Sequence, residues 1–375
     1  MSKSLPLPSS DAAAHSARVL AVLHEAAARG FLPFSDYMRI ALYEPGLGYY
    51  SAGAQKFGGA GDFVTAPELS PFFARALARQ VAQVLSASAP QVLEFGAGSG
   101  ALAAELLPAL EALGALPERY FIVEVSPDLR QRQAQRLARW GERVQWIEAL
   151  PARFSGALIA NEILDAMPVA LFTRQADEVL ERGFEWRDDA LVWAERPAGQ
   201  ELQTAVAQIE ADVGALAPGY QSEINLEGGA WIRSLAAMIE TGALLAIDYG
   251  FPRAEYYHPQ RRGGTLAVHY RHHVLHDPLW LPGLSDLTAH VDFSAMAEVA
   301  FDAGLDVMGY TSQANFLINC GIADELESAG PAERSAAHKL ISEAEMGELF
   351  KVLMLGRGLD LDPLGFALGD RRGRL

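Results

Sequence analysis

Residues 92–100 read Val92-Leu93-Glu94-Phe95-Gly96-Ala97-Gly98-Ser99-Gly100, an apolar run that carries an acid and breaks into alternating glycines. Glycines at this spacing let the backbone turn tightly and bring its N–H groups close to a ligand at the start of the next helix. A dinucleotide fingerprint needs its third glycine one place later, where Ala101 stands. Taken alone, the motif leaves a plain glycine turn or another nucleotide open. Glu124 ends the run Phe121-Ile122-Val123, where a carboxylate can accept hydrogen bonds from both hydroxyls of a ribose. Val125 follows it, and Glu148, after a third apolar run, is placed beside the base of such a nucleoside. A further segment, Asn161-Glu162-Ile163-Leu164-Asp165-Ala166-Met167-Pro168, crowds polar groups at the mouth of a buried run, as does Asp248-Tyr249-Gly250. Asn161 and Asp165 could equally cap the following turn.

Other reactive side chains carry less. His269, His272, His273 and His276 fall close together, flanked by His258 and His290, but no cysteine or carboxylate stands among them at a metal-binding spacing. No metal is expected, and the default is loop histidines, with His290 the best placed to act as a base. Trp231, Trp280, Tyr256 and Tyr257 read as packing residues. Cys320, the one cysteine, excludes an intrachain disulfide and reads as a small buried side chain.

These residues need elements to hold them. From residue 91 apolar strands alternate with helices: strands at 91–95, 120–125, 143–147 and 157–160, helices at 101–113 and 127–140. Continuous apolar strands in this rhythm predict a parallel sheet covered on both faces, with ligands beyond the carboxyl ends of its strands. A hairpin or meander is expected over 169–193, helices over 201–216, 229–240 and 294–303, and a fifth buried strand over 243–247. Residues 251–292, rich in Pro, Gly and His, read as a loop over the site. Closing strands are expected near 306–311 and 349–355. Before residue 90 the pattern is helical at 16–28, 34–42 (opened by a cap-like Ser35) and 68–85, interrupted by a Gly/Pro/Tyr-rich stretch over 45–67.

The composition of the 375 residues is that of an ordinary globular chain, half hydrophobic and about a fifth charged. The net charge of −17 argues against nucleic-acid binding and is compatible with a basic protein partner. No apolar run is long enough to span a bilayer. Met1 to Ser10 has no apolar segment of the secretory kind. A cytoplasmic, bacterial-type location is expected, or the mitochondrial matrix if the cell is eukaryotic. A homodimer stays open.

The ordered set of motifs resembles the MidA-type methyltransferases, a family that includes the mitochondrial complex I assembly factor that methylates an arginine. The match is carried by Tyr37 to Tyr50, by Gly61-Asp62-Phe63-Val64-Thr65-Ala66-Pro67-Glu68 and by the glycine motif. It continues through Val123-Glu124-Val125-Ser126, Asn161 to Pro168, Asp248-Tyr249-Gly250 and Asp286 to Phe293. The chain departs from that family with Ala97 in place of a usual proline and Ser99 where an arginine can stand.

The resemblance implies a class I, Rossmann-like α/β fold with a mainly parallel seven-stranded sheet and helices on both faces. It implies S-adenosylmethionine as cofactor and S-adenosylhomocysteine as product. Gly96, Gly98, Gly100 and Glu124 become cofactor contacts, joined by Glu94, Ala97, Ser99, Val125, Glu148 and Asn161, with Thr65, Pro67 and Glu68 on a segment closing over them. The expected organisation is a helical N-terminal extension or lid (1–88), a cofactor-binding core (89–168 and 229–360) and an inserted α+β subdomain (169–228). For an arginine acceptor, Glu162 is expected to orient the guanidinium, helped by Asn161, Asp165 or Asp248. A small-molecule methyltransferase and a non-catalytic cofactor-binding assembly protein are the alternatives.

Overall fold

Strands rich in Val, Leu, Ile and Ala can pack a sheet only if both of its faces are covered, and this chain meets that condition with seven main strands, the two-residue Val291–Asp292 adding an eighth beside the fifth. In the computed structural model, which describes residues 5–52, 65–327 and 329–375, they are β1 Gln91–Phe95, β2 Arg119–Val123, β3 Val144–Ile147, β4 Phe154–Asn161, β5 Ile239–Phe251, β6 Asp306–Ser312 and β7 Phe350–Arg357. Their order is 3-2-1-4-5-7-6. β1 to β5 run parallel, and β7 is antiparallel to both β5 and β6. The chain leaves β1 toward β3 and returns to β4, so a crevice opens at the carboxyl ends of β1 and β4, where the order reverses. This is the class I Rossmann-like fold.

Helices Pro71–Ala87 and Ala101–Ala112 cover one face, burying Phe73, Leu77, Val81, Leu106 and Leu110. Helices Leu226–Met238 and Phe293–Asp302 cover the other, burying Ile232, Leu235, Phe293 and Met296. Ser70 and Ser126 cap their helices through side-chain oxygens, each followed by a proline at the first helical position.

A second lobe lies beside this sheet. The meander expected after β4 is present as strands Ala170–Arg174, Val179–Arg187 and Ala190–Pro197, joined by Tyr220–Ile224 and by Leu32–Pro33 from near the N-terminus. Leu32 pairs with Phe184 and Pro33 with Gly183, a contact invisible in a strand of two residues. One apolar cluster unites Val19, Leu23, Phe34 and Tyr37 with Leu171, Phe184, Val268 and Leu287. Helices Ser10–Ala27 and Phe34–Tyr43 thus pack on the inserted sheet, whereas the helix Pro71–Ala87 packs on the central one.

Several expectations need correction. The stretch 251–292 is not one loop: it holds a three-stranded sheet of Ala267–Tyr270, His273–Leu275 and Asp286–Thr288, whose strands are too short to show a period. Ser35 does not cap its helix, which starts after Pro33 with no side-chain cap. The expected helix over 68–85 is two, Ala66–Leu69 and Pro71–Ala87, because Pro71 cannot continue the first. Helices between 313 and 349 went unread. Gly61 to Val64 lie outside the described residues. Among the described residues no helix is long and apolar enough to cross a membrane.

The two lobes are pinned by Arg253, only 6% exposed. Its guanidinium meets Asp212 of the inserted helix Gln200–Val213, Glu298 at 2.8 and 2.5 Å, and Asp292 at 3.4 Å. Removing one member of such a group leaves buried carboxylate without its counter-charge. Arg253→Leu is expected to lower unfolding free energy by about 3 kcal/mol. Urea titration reads this as a lower midpoint with an unchanged slope.

Candidate active site

At the end of β1 the chain peels away through Gly96, Gly98 and Gly100, all in the left-handed region with φ of 56°, 54° and 78°. The N–H of Gly96 still donates to the Val123 carbonyl at 3.0 Å, which ties the turn to β2. A Cβ on Gly96 would stand 2.6 Å from the Ile163 side chain, so the residue keeps the cradle open as well as turning it. Glu94, 3% exposed, accepts a hydrogen bond from the Tyr120 hydroxyl at 2.7 Å. Burial pushes its carboxyl up to about 7 against that bond, and Glu124 adds to the rise.

Glu124 follows β2. It accepts from the Ser126 N–H and from the Gln133 amide, both at 2.9 Å. Burial raises its pKa while those two bonds oppose the rise. Gln133 is fully buried and gathers the site: its amide nitrogen also donates to the Gly98 carbonyl at 2.8 Å, and its oxygen accepts from Trp146 at 2.8 Å. Sequence reading missed it, since one glutamine among the polar residues of helix Pro127–Arg136 gives no signal.

At the end of β4, Glu162 takes a left-handed φ of 55°, which is uncommon for a residue with a side chain. Its N–H still bonds the Ile247 carbonyl of β5 at 2.9 Å, while its carboxylate accepts from the Asn161 amide at 3.1 Å. Burial, followed by the neighbouring Asp165, pushes the Glu162 carboxyl up to about 8. Asp165 is raised by burial too, even though it accepts from the Tyr249 hydroxyl. Its Oδ1 and the Asn161 Oδ1 find no partner among the described residues.

These groups line one cleft of about 940 Å³. One half presents Glu94 to Ser99, Ala101, Leu102, Val123, Glu124 and Val125, together with Thr65, Pro67 and Glu68. The other half presents Glu162, Asp165, Asp286, Glu227, Tyr43, Tyr50, Tyr249, His269 and His290. Tyr43 and Tyr50 stack at 5.5 Å, the Tyr50 hydroxyl donates to Asp286 at 3.0 Å, and the Tyr43 hydroxyl donates to the Ala166 carbonyl at 2.8 Å. Arg39 makes a two-pronged bond with Glu227 at 3.0 and 2.5 Å, joining helix Phe34–Tyr43 to helix Leu226–Met238 at the cleft wall. His290 packs edge-on against Tyr249 at 5.0 Å. Burial, then Arg261 and Lys351, holds the imidazole down to about 4 and therefore neutral.

Three expected residues stand elsewhere: Gly100 is not at the cleft surface but is the N-cap of helix Ala101–Ala112, and Glu148 and Asp248 lie apart from it too. Glu148 follows β3 as expected but does not line the cleft; its side chain is 85% exposed and pairs with Arg130 at 3.2 Å. Asp248 lies behind the cleft wall. It accepts from the N–H groups of Leu164 at 3.0 Å, Asp165 at 3.2 Å and Tyr249 at 2.9 Å, so it braces the turn instead of facing a ligand. Among the histidines, His269 and His290 reach the cleft; among the described residues no group of three His, Cys, Asp or Glu could hold a metal.

Comparison with known proteins agrees with this geometry. Residues 76–311 match the family described as "Putative S-adenosyl-L-methionine-dependent methyltransferase". A crystal structure from Burkholderia thailandensis bound to S-adenosyl-homocysteine is 50% identical with a TM-score of 0.94, over 99% of this chain and 100% of that one. A native crystal structure from the same organism is 48% identical with a TM-score of 0.91, over 99% and 100% of the two chains. The protein arginine methyltransferase NDUFAF7 of Danio rerio, mitochondrial, is 31% identical, covering 86% of this chain and 83% of its own. The Drosophila melanogaster homolog is 29% identical over 88% and 82%. The chain belongs to this MidA-type family of S-adenosylmethionine-dependent methyltransferases.

The residues present fit such a cofactor: the turn after β1 holds three left-handed glycines, an acid follows β2, and the Asn161 Oδ1 has no partner among the described residues. Gly98→Val, which forces a β-branched residue to a φ of 54°, is expected to abolish S-adenosylhomocysteine binding in calorimetry. Gln133→Ala should weaken it roughly tenfold, the loss of one to two hydrogen bonds.

Proposed function

We propose, from that membership, that the chain transfers the methyl group to an arginine side chain of a protein with a basic segment. The observation that carries this reading is the composition of the second half of the cleft. The carboxylates of Glu162, Asp165 and Asp286 stand there with the stacked rings of Tyr43 and Tyr50. A guanidinium is planar, permanently charged and rich in donors, and carboxylates beside aromatic faces are the surroundings that suit it. The names of the curated relatives point the same way.

In this reading Glu94, Gly96, Ala97, Gly98, Ser99, Glu124, Val125, Asn161, Thr65 and Pro67 hold the cofactor, and no metal takes part. When bound, the cofactor supplies a methyl group activated by a sulfonium centre. The chain holds the acceptor nitrogen in line, excludes water and draws positive charge toward the far nitrogens of the guanidinium. Glu162 orients the guanidinium and takes the proton that the methylated nitrogen sheds. Asn161 positions that carboxylate, Asp165 supplies a second negative charge, and Asp248 keeps both in place through the backbone. Neutral His290 can accept a hydrogen bond from the same donor-rich group. The N-terminal extension adds Tyr43 and Tyr50 to the acceptor half, whose acids come from the core of 89–168 with 229–360 and from Glu227 of the insert 169–228, and that core also holds most of the cofactor half.

Glu162→Gln is expected to leave S-adenosylhomocysteine binding intact and to lower transfer by roughly 10²-fold or more. Because the Glu162 carboxyl sits near pH 8, it must lose its proton to receive a cation, so activity should climb from about pH 7 to about pH 9. Labelling a cell lysate with tritiated methyl donor identifies the acceptor. Methylarginines after acid hydrolysis support the proposal. Label confined to other residues or to small molecules overturns it.

A further inference from the structure

One buried acid has no part in the mechanism above. Glu223 belongs to strand Tyr220–Ile224 of the inserted sheet, and its side chain is shut away from solvent. One of its oxygens takes three donors: the Thr265 N–H at 2.8 Å, the Thr265 hydroxyl at 2.6 Å and the Tyr256 hydroxyl at 2.6 Å. The loop that carries Thr265 can come this close because residue 264 is a glycine at a φ of 74°; a Cβ there would collide with the other Glu223 oxygen. Both hydroxyls then reach one residue of the cleft wall. The His290 N–H donates to the Thr265 hydroxyl oxygen at 2.9 Å, and the Tyr256 hydroxyl shares its proton with the His290 carbonyl at 3.0 Å. The His290 ring has only loose holds of its own. It packs against Tyr249 at 5.0 Å and Phe251 at 5.2 Å, and its Nδ1 finds no partner among the described residues. The place of the imidazole is therefore set from its backbone, and that backbone is tied through two hydroxyls to Glu223.

We propose that Glu223 is a positioning residue: through Thr265 and Tyr256 it fixes both backbone polar groups of His290 and so keeps the imidazole seated on the wall of the acceptor half. A carboxylate offers only acceptor sites, so several donors can converge on it and be held in one arrangement. A ring loosened from Tyr249 and Phe251 meets water, where an imidazole takes up a proton near neutral pH and would repel a guanidinium. The charged groups that bear on His290 are Arg261, Lys351 and His269, and Glu162, Asp165 and Asp286 line the same cleft. None of these takes part in the bonds that join Glu223 to His290. The inference rests on the reading of His290 as part of the acceptor half. Its test uses no acceptor, so it can fail while the labelling experiment succeeds, and the reverse.

The test is a proton NMR titration of the full chain labelled in its histidine rings, with the His290 signal assigned by its loss in His290→Gln. Burial and the nearby cations hold this imidazole neutral, so the native signal should stay flat from about pH 5.5 to about pH 8. In Glu223→Ala it should titrate with a midpoint near the ordinary value of about 6.5. Removing a carboxylate by itself favours the neutral ring, so a midpoint that rises reports the release of the ring and not the lost charge. Thr265→Val frees the His290 N–H with little change of shape. It should reproduce the rise, and it serves where Glu223→Ala fails to fold. Glu223→Gln keeps an oxygen for the same three donors and should stay flat. A flat signal in whichever of Glu223→Ala and Thr265→Val folds overturns the proposal, and so does a Glu223→Gln signal that titrates like that of Glu223→Ala.

Discussion

Asp248 is a carboxylate 1% exposed at the end of the fifth strand, and its two oxygens take three backbone N–H groups that the sheet cannot satisfy. Two of them, from Leu164 and Asp165, belong to the place where β4 stops and turns over the ligand crevice, and the third is that of Tyr249 in β5. An unpaired buried N–H costs on the order of 1–3 kcal/mol, so one side chain removes a penalty the turn would otherwise carry twice. The left-handed Glu162, the orphan oxygen of Asn161 and the placement of Asp165 all depend on that turn keeping its path. The reactive groups are exposed to the cleft because a group behind them is not.

Gathering three acids at two strand ends has a thermodynamic cost. The Glu162 carboxyl lies above its ordinary 4.5, at about 8, and Asp165 and Asp248 are raised as well. A carboxyl raised in the folded state binds more protons there than in the unfolded chain. Stability therefore falls as pH rises through the window between the two values, here from about 4.5 to about 8 for Glu162. A bound cation would reverse that penalty, because it favours the charged form the fold alone resists. Without such a charge the Glu162 carboxyl keeps its proton at neutral pH.

Much of this was legible in the sequence where local chemistry decides. The glycine turn, Glu124 and the parallel strands were readable because each depends on a short contiguous pattern. Glu162 and Asp165 were readable as polar residues at the mouth of an apolar strand. Glu148 stands after β3 where the same logic places an acid, yet its side chain turns out to solvent and to Arg130, a direction that spacing does not report. Asp248 was recognised as important but assigned to the wrong side of the wall, since spacing cannot say whether a carboxylate faces ligand or backbone. Gln133, Tyr43, Tyr50 and Asp286 act through contacts between segments distant along the chain, and Leu32–Pro33 joins a sheet some 150 residues away (32 to 184). No periodicity reports such a pairing.

The cleft wall is drawn from two lobes that meet at Arg39 and Glu227 and at the buried Arg253. Tyr43 and Asp286 come from segments that build the second lobe, while Gly96, Gly98 and Glu124 come from the sheet. Such a division lets lineages diverge on one side only. Substitutions in helices Ser10–Ala27 and Phe34–Tyr43 or in the small sheets reach the Tyr43 and Asp286 side of the cleft without touching the glycine turn. A protein built this way can acquire a new client without first losing its chemistry.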